Sequence, residues 1–520
     1  MFAPTALSLS LLLSVASATL ISGATRCQSF GASLNMSDVK VLHTTYYTGN
    51  ETIPLDDLLC NRPGATVGVQ TALCRIALLV DTSATSQVQL EAWLPDEWSE
   101  RVAVVGNGGL NGCIDYSNLA YLSSFNFAVI GSNNGHNGSS GDAFLNAPET
   151  IIDFTYRSVH VSSELTKSLS AAYYNTSHKK SYYFGCSTGG RQGFSSIQRY
   201  PEDFDGVVAG APALDFNHLA GWDGILSVMN GAPSGKPIIS SELWEAVRLD
   251  ALRQCDAIDG VKDGIIDNPD RCHYTPEKLL CTGTGGNTTV CLTTKQAEIV
   301  NFVFSPLYGL KGELVFPRYD PGTSFAGLAM MVFGGQLFPF TLDWWRNTVY
   351  NDTTWTGEGF NLQNIADADR IDPGGVSTIN PDISAYQKRG GKVVHYHGMQ
   401  DSLIPSGNSR RYHASVLRTL GPKKLNTFYR YFPVPGMDHC GGGPGPNVFG
   451  QGGLSAEGVP KDAQNNIVLA TVKWVEEGVA PEQLIATKWK DDIAGNLQSR
   501  RTICAWPKTS VKRGSVYVCV

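Results

Sequence analysis

Long basic runs are what this 520-residue sequence lacks first: its 40 Lys and Arg, against 47 Asp and Glu, occur at most as isolated pairs, and the net charge is -7. A nucleic-acid binder that releases counterions from phosphates needs a basic surface, so polyanionic partners are excluded. Apolar runs of the ~18 residues that span a membrane are also missing after the N-terminus, which excludes a membrane protein of the helical kind. No repeat of 20 to 50 residues recurs, which argues against a solenoid or a propeller.

What is present is a folding composition. Hydrophobic residues make up 42%, aromatic residues 10% and charged residues only 17%, with 55 Gly, 26 Pro and 12 Cys. Disorder is excluded, and the length allows two or three domains or one large α/β core with an insertion. Leu7 to Ala18 is short and apolar and ends in Ala16-Ser17-Ala18, the pattern of an h-region before a small-x-small cleavage site, although Met1 to Ala6 carries no base. Residues 1–18 therefore read as a signal peptide. An even cysteine count and N-x-S/T sequons at Asn35, Asn50, Asn137, Asn175, Asn287 and Asn351 agree with an oxidising, glycosylating compartment and a secreted protein.

Short β-rich runs alternate with helical patterns. The strands are expected at Arg101 to Gly106, Phe127 to Gly131, Tyr182 to Gly185, Val207 to Gly210, Lys392 to His397 and Tyr429 to Val434. Helices are expected at Arg157 to Tyr174, Gly190 to Tyr200, Asn408 to Leu420 and Lys461 to Glu477. This rhythm predicts an α/β fold, a mainly parallel sheet with helices on both faces. Between Val208 and Lys392 the rhythm stops, and an inserted cap is expected. Its aromatics Phe333, Phe338, Phe340, Trp344, Trp345 and Trp355 either line a pocket for an aromatic group or form the cap's own core.

Gly185-Cys186-Ser187-Thr188-Gly189 follows a strand and opens a helix, the context in which G-x-S-x-G forms a nucleophile elbow; a plain turn is the competing reading. A serine hydroxyl needs a base, and the base needs an acid to hold its tautomer. In chain order Ser, Asp, His, the loop after Val393 to His397 offers Asp401, and the loop after Tyr429 to Val434 offers His439. Asp438 is the rival acid, but beside the His it reads as a loop-turn residue. Ser187 follows Cys186 and His439 precedes Cys440. If these cysteines are bonded, their Cα atoms lie about 4.4 to 6.8 Å apart and Ser and His are close; otherwise they are two independent structural cysteines. Such a bond would close a loop of more than about 250 residues and contribute about 4 to 5 kcal/mol under the chain-entropy model. The oxyanion needs two backbone donors: Thr188 supplies one, and the loop Gly106 to Gly112 the other, at Gly109 or Gly108.

Gly185-Cys186-Ser187-Thr188-Gly189-Gly190 with the later Asp438-His439-Cys440 resembles the fungal tannase and feruloyl esterase family. The resemblance covers essentially the whole mature chain. It implies an α/β-hydrolase core in two parts, residues 19–213 and 390–520, around a lid at 214–389. It also implies Ser187 as nucleophile, His439 as base and acid, Asp401 as orienter, and a Cys186–Cys440 disulfide.

The acidic stretch Cys255 to Asp267 has hard oxygen ligands suited to Ca²⁺ but not EF-hand spacing, so on composition alone a solvated turn fits equally. The resemblance implies a structural calcium ion held by carboxylates of Asp256, Asp259 and Asp263 and carbonyls of Val261 and Ile265. His395 and His397 share a strand face, yet with no third ligand near they read as packing rather than zinc.

The expected activity is that of a secreted serine carboxylesterase acting on plant esters of aromatic acids, with no organic cofactor. Feruloyl or cinnamoyl esters are favoured over galloyl esters. Fungal tannases are often cut at a dibasic site in the lid, and here Lys388-Arg389 stands only at its far edge. A gallate pocket must also pair three hydroxyls, so it calls for converging polar side chains. The reading from a different class is an inactive hydrolase-like binder of phenolic or cell-wall ligands.

Overall fold

The computed structural model describes residues 22–282, 290–452, 456 and 458–520. The N-terminal apolar stretch and the Asn287 sequon lie outside the described residues. Nine strands form the main sheet: β1 (Val39–Tyr47), β2 (Leu73–Asp81), β3 (Gln87–Pro95), β4 (Arg101–Val105), β5 (Ala128–Ser132), β6 (Lys180–Cys186), β7 (Gly206–Gly210), β8 (Lys392–Gly398) and β9 (Tyr429–Val434). Their order is β1-β2-β3-β5-β4-β6-β7-β8-β9. From β5 to β9 across the sheet every pair is parallel, while β1, β2 and β3 join antiparallel at one side.

The parallel strands are short, β-branched or aromatic runs buried on both faces, as a sheet covered by helices requires. On one face lie the helices Ser158–Tyr174, Thr188–Arg199 and Gly407–Leu420, which bury Leu165, Leu169, Phe194, Ile197, Tyr412 and Val416 against it. On the other, Tyr116–Ser123 and Ile467–Glu477 bury Leu119, Leu122, Ile467 and Trp474. This is the α/β-hydrolase arrangement. Ligands in such sheets bind outside the carboxyl ends of the strands, where β6, β8 and β9 deliver their loops.

The six expected strands are all present, each within two residues of its expected ends. The expected helix at Lys461 to Glu477 is shorter and begins at Ile467, because the Asn466 side chain accepts the amides of Val468 and Leu469 and caps it there.

Between β7 and β8 the chain leaves the sheet. It forms the helices Phe216–Met229, Ser241–Cys255, Thr294–Val303, Pro339–Trp344 and Leu362–Ile371, and a small hairpin pairing Leu307–Tyr308 with Leu314–Phe316. A separate apolar core holds them, built on Trp222, Trp244, Phe325, Phe333, Trp344 and Trp345. Leu110, Phe154, Leu403 and Ile404, from the segments that follow β4, β5 and β8, join that core, so the insertion is seated over the strands' carboxyl ends.

All twelve cysteines are paired: Cys27–Cys74, Cys60–Cys113, Cys186–Cys440, Cys255–Cys272, Cys281–Cys291 and Cys504–Cys519. Among the described residues no helix is long and apolar enough to cross a membrane.

Candidate active site

Strand β6 ends at Cys186 and the helix Thr188–Arg199 starts at Thr188, leaving Ser187 alone in the turn with φ 64° and ψ -124°. A left-handed φ is uncommon for a side-chain-bearing residue and marks a strained turn. Here the turn is over-determined. The Ser187 amide donates to Gly210 O at 3.0 Å, and its carbonyl accepts from the amides of Arg191 at 3.0 Å and Ala213 at 3.2 Å. The flanking glycines are required by close approach. A Cβ at Gly185 would meet the Gly189 backbone at 2.8 Å, and one at Gly190 would meet Gly210 O at 2.3 Å. Ser187 is partly exposed at the mouth of this turn.

The loop after β4 is tied down by side-chain hydrogen bonds. The Asn107 amide donates to Gln192 Oε1 at 3.0 Å, and its side-chain NH₂ donates to Ser132 O at 2.7 Å and Cys113 O at 2.9 Å. Thr188 Oγ1 donates to Gly109 O at 2.8 Å, which orients the Gly109 peptide, held at φ 50°. Thr188 is the first residue of its helix, where a backbone N–H has no intrahelical acceptor. Gln192, which the sequence gives no reason to single out, ties this loop to the helix that follows Ser187.

Beyond β8 the buried Asp401 carboxylate accepts from the amides of Leu403 at 2.9 Å and Ile404 at 2.7 Å through Oδ1, and from His439 Nδ1 at 2.9 Å through Oδ2. Burial pushes this carboxyl up, but the charge of His439 and the hydrogen bonds of His397 and His439 outweigh it and hold it well below the carboxylate range. For His439 burial works downward, and the charge and hydrogen bond of Asp401, with the charge of Asp438, win and raise it above 6.5. Asp438 does not reach the imidazole: its Oδ1 accepts from the amides of Ser402 at 2.8 Å and His439 at 2.7 Å, as a turn residue does.

His397, which the strand pattern reads as packing, is a member of this network. Its Nε2 lies 2.7 Å from Ile404 O and 3.1 Å from Asp401 Oδ2, so that nitrogen bears the proton. Nδ1 then accepts from Ser409 Oγ at 2.6 Å. Ser409 in turn accepts from His395 Nε2 at 2.9 Å, whose Nδ1 accepts from Tyr429 O–H at 2.7 Å. The shared strand face of the two histidines serves a buried hydrogen-bonded chain ending on Asp401.

The Cys186–Cys440 disulfide joins the β6 turn to the β9 loop across 254 residues with Cα atoms 5.9 Å apart. Ser187 and His439 consequently face one open cleft of about 740 Å³, whose walls include Gly109, Asn118, Asp343 and Gln451. No hydrogen bond joins the serine hydroxyl to the imidazole in this state; catalytic bonds of this kind often tighten only with substrate. A second, inner pocket opens from Ser187 and Thr188. Its walls are Ala213, Phe216, Leu219, Phe338, Phe340 and Leu403, with Asp223 among them. Of the six cap aromatics, Phe338 and Phe340 line this pocket, while Phe333, Trp344 and Trp345 are buried in the cap core.

The family described as tannase and feruloyl esterase matches residues 74–368 and 370–519. The chain belongs to that family. A probable feruloyl esterase B-2 of Aspergillus fumigatus is 43% identical over 517 residues, covering 98% of this chain and 97% of that protein. The solved feruloyl esterase B from Aspergillus oryzae superposes with a TM-score of 0.91 at 41% identity, over 96% of this chain and 100% of that one. Tannin acyl hydrolase from Aspergillus niger shares the fold, with a TM-score of 0.76 at 24% identity over 96% of this chain and 95% of that one. As a member of this family the chain is a carboxylic ester hydrolase.

The acidic loop lies in the insertion, apart from this cleft. Asp256 accepts the amides of Asp263 at 3.4 Å and Gly264 at 3.2 Å, Asp259 that of Val261 at 2.8 Å, and Asp263 the hydroxyl of Tyr517 at 3.1 Å. Ile265 is buried beneath the loop. Asp267 pairs with Arg501, and its Oδ1 is buried without a partner. Burial raises Asp267 to about 6, with Arg501 pulling it down and the adjacent Asp259 pushing it up. No group of three or more His, Cys, Asp or Glu side chains placed to hold a metal ion is found among the described residues.

Proposed function

We propose that the protein is a secreted serine esterase that hydrolyses feruloyl and related cinnamoyl esters of plant cell-wall polysaccharides. The observation that carries the acyl preference is the inner pocket beside Ser187: apart from Ser187 and Thr188 its side chains are apolar except for one carboxyl, Asp223. A cinnamoyl ring with few hydroxyls suits such walls, whereas a galloyl ring would leave hydroxyls unpaired there, at about 1 to 3 kcal/mol each.

Ser187 Oγ attacks the ester carbonyl. His439, with Nδ1–H held by Asp401, presents Nε2 as the base that takes the hydroxyl proton and returns it to the leaving alcohol. The amides of Thr188 and Gly109 receive the charge that develops on the carbonyl oxygen, a contribution of about 3 to 4 kcal/mol per donor. Water then attacks the acyl-enzyme with His439 again as base. The carbohydrate alcohol leaves toward the open cleft, and residues 214–389 act as the lid over both pockets.

We also propose a structural calcium ion at the acidic loop, for which Asp256, Asp259 and Asp263 and the carbonyls of Val261 and Ile265 would be the ligands once the loop, whose carboxylates are not gathered around one point in this structure, draws together on it. The donors are hard oxygens, the kind calcium takes, and the carboxylate crowding around the unpartnered Asp267 oxygen is what a cation relieves. When bound, the ion supplies stability to the insertion. Secretion is supported by the six disulfides, and glycosylation by the exposure of all five described sequon asparagines, Asn35, Asn50, Asn137, Asn175 and Asn351.

The test is turnover of methyl ferulate, caffeate, p-coumarate and gallate by the wild type and by Ser187→Ala. The expected result is kcat/KM on methyl ferulate or p-coumarate at least about 10-fold above that on gallate, lost in the variant. Preference for gallate would establish the tannase reading, and undiminished turnover by the variant would refute Ser187 as nucleophile.

A further inference from the structure

Helix Phe216–Met229 turns Phe216, Leu219, Ala220 and Asp223 toward the inner pocket at i, i+3, i+4 and i+7, one helical face. Three of these are apolar. The fourth is a carboxyl only 1% exposed, whose Oδ1 has no hydrogen-bond partner. No basic side chain is paired with it, although each of the other carboxylates that hold the active-site loops is satisfied by amides, imidazoles or a guanidinium.

Burial, and secondarily the charge of Asp401, push the Asp223 carboxyl far above its ordinary value. In its neutral form it carries one O–H donor and free acceptor capacity. A buried polar group left unpaired destabilises the fold, and an apolar side chain of similar size would remove that penalty. Placed in a pocket that opens on the nucleophile, the group matches a partner that arrives with substrate. A phenolic hydroxyl is such a partner, because it both donates and accepts. A methoxy group only accepts, and an unsubstituted ring does neither.

We propose that Asp223 reads a free hydroxyl on the aromatic ring of the acyl group, making it the residue that selects hydroxycinnamoyl over non-hydroxylated aryl esters. The phenol O–H donates to the carboxyl carbonyl oxygen and the carboxyl O–H donates to the phenol oxygen, a reciprocal pair shielded from water by Phe216, Phe338 and Leu403. The open volume of the inner pocket is about 20 Å³, too little for a ring. Entry therefore requires displacement of Phe340, the half-buried side chain that walls this pocket from the outer cleft. Phe340 lies against Gly109, where a Cβ would meet its ring at 2.6 Å, so the same movement uncovers the oxyanion loop. This assignment rests on the esterase reading above.

The experiment compares methyl p-coumarate with methyl cinnamate, which differ only in the ring hydroxyl, on the full-length wild type and on Asp223→Leu and Asp223→Asn. The wild type is expected to prefer p-coumarate by about 10- to 100-fold in kcat/KM, and in Asp223→Leu that ratio collapses toward one. Asp223→Asn, which still donates and accepts, keeps part of the ratio. Melting temperature separates the role from a structural one: Asp223→Leu, relieved of an unpaired polar group, melts no lower than the wild type. Equal loss on both substrates in Asp223→Leu, or a wild type that hydrolyses both equally well, overturns the role of Asp223 while leaving the esterase reading intact. A wild type that hydrolyses neither aryl ester overturns the acyl-class reading and this proposal with it.

Discussion

Asp401 Oδ2 stands between two imidazoles, His439 at 2.9 Å and His397 at 3.1 Å. Only the first faces the cleft; the second ends a buried chain through Ser409 and His395. The Asp401 anion favours the imidazolium form of His439, so His439 titrates above 6.5 and its neutral, basic form is lost as pH falls through that raised value. The acid limb of kcat/KM should accordingly lie above pH 6.5. Asp401→Asn removes the anion, so the limb should move to lower pH while kcat falls by about 10³- to 10⁴-fold, the scale of losing the correct tautomer. A pH–rate profile checks both; an unmoved limb would contradict the assignment. As candidates for a triad, Ser187, Asp401 and His439 were legible because each sits where a short apolar run meets a Gly- or Pro-containing loop. Gln192, His397 and Asp223 were not. Each lies inside a regular element, where the pattern says only that a face is buried and not what its polar atoms meet.

Among elements, the parallel strands were readable because burial on both faces leaves short continuous apolar runs. The strand Val39–Tyr47 was not: it is the edge strand beside β2, and its Lys40, His43, Thr44 and Thr45 dilute the apolar signal. The C-terminal hairpin Gln483–Trp489 with Leu497–Cys504 was missed for the same reason, since four residues of its second strand, Leu497 to Arg500, are exposed. The acidic loop between Cys255 and Cys272 is an element of another kind, irregular backbone ordered by carboxylates on its own amides. If calcium holds it, chelation with EGTA should lower Tm by about 2 to 6 °C, reversibly on adding Ca²⁺. Asp256→Asn should abolish that dependence, and turnover at low temperature should persist. A melting temperature indifferent to both chelator and calcium would remove the ion from the account.

Across the whole molecule, the proposed catalytic groups come from chain positions separated by the entire insertion, and one disulfide brings the cysteines beside Ser187 and His439 to 5.9 Å at their Cα atoms. The cysteines beside Ser187 and His439 made that juxtaposition legible in the sequence. The division of labour between an open cleft and an apolar inner pocket was not legible, since it depends on how the insertion's own core seats Phe338 and Phe340 over Ser187. In the proposed mechanism Ser187 carries the acyl group. Its most direct measurement is covalent trapping: incubation with an aryl phosphonate ester, reduction of the disulfides, digestion and peptide mass spectrometry. One phosphonyl group per chain is expected, on the peptide containing Ser187, rising in step with loss of esterase activity. Full inactivation with the label on any other residue would contradict it.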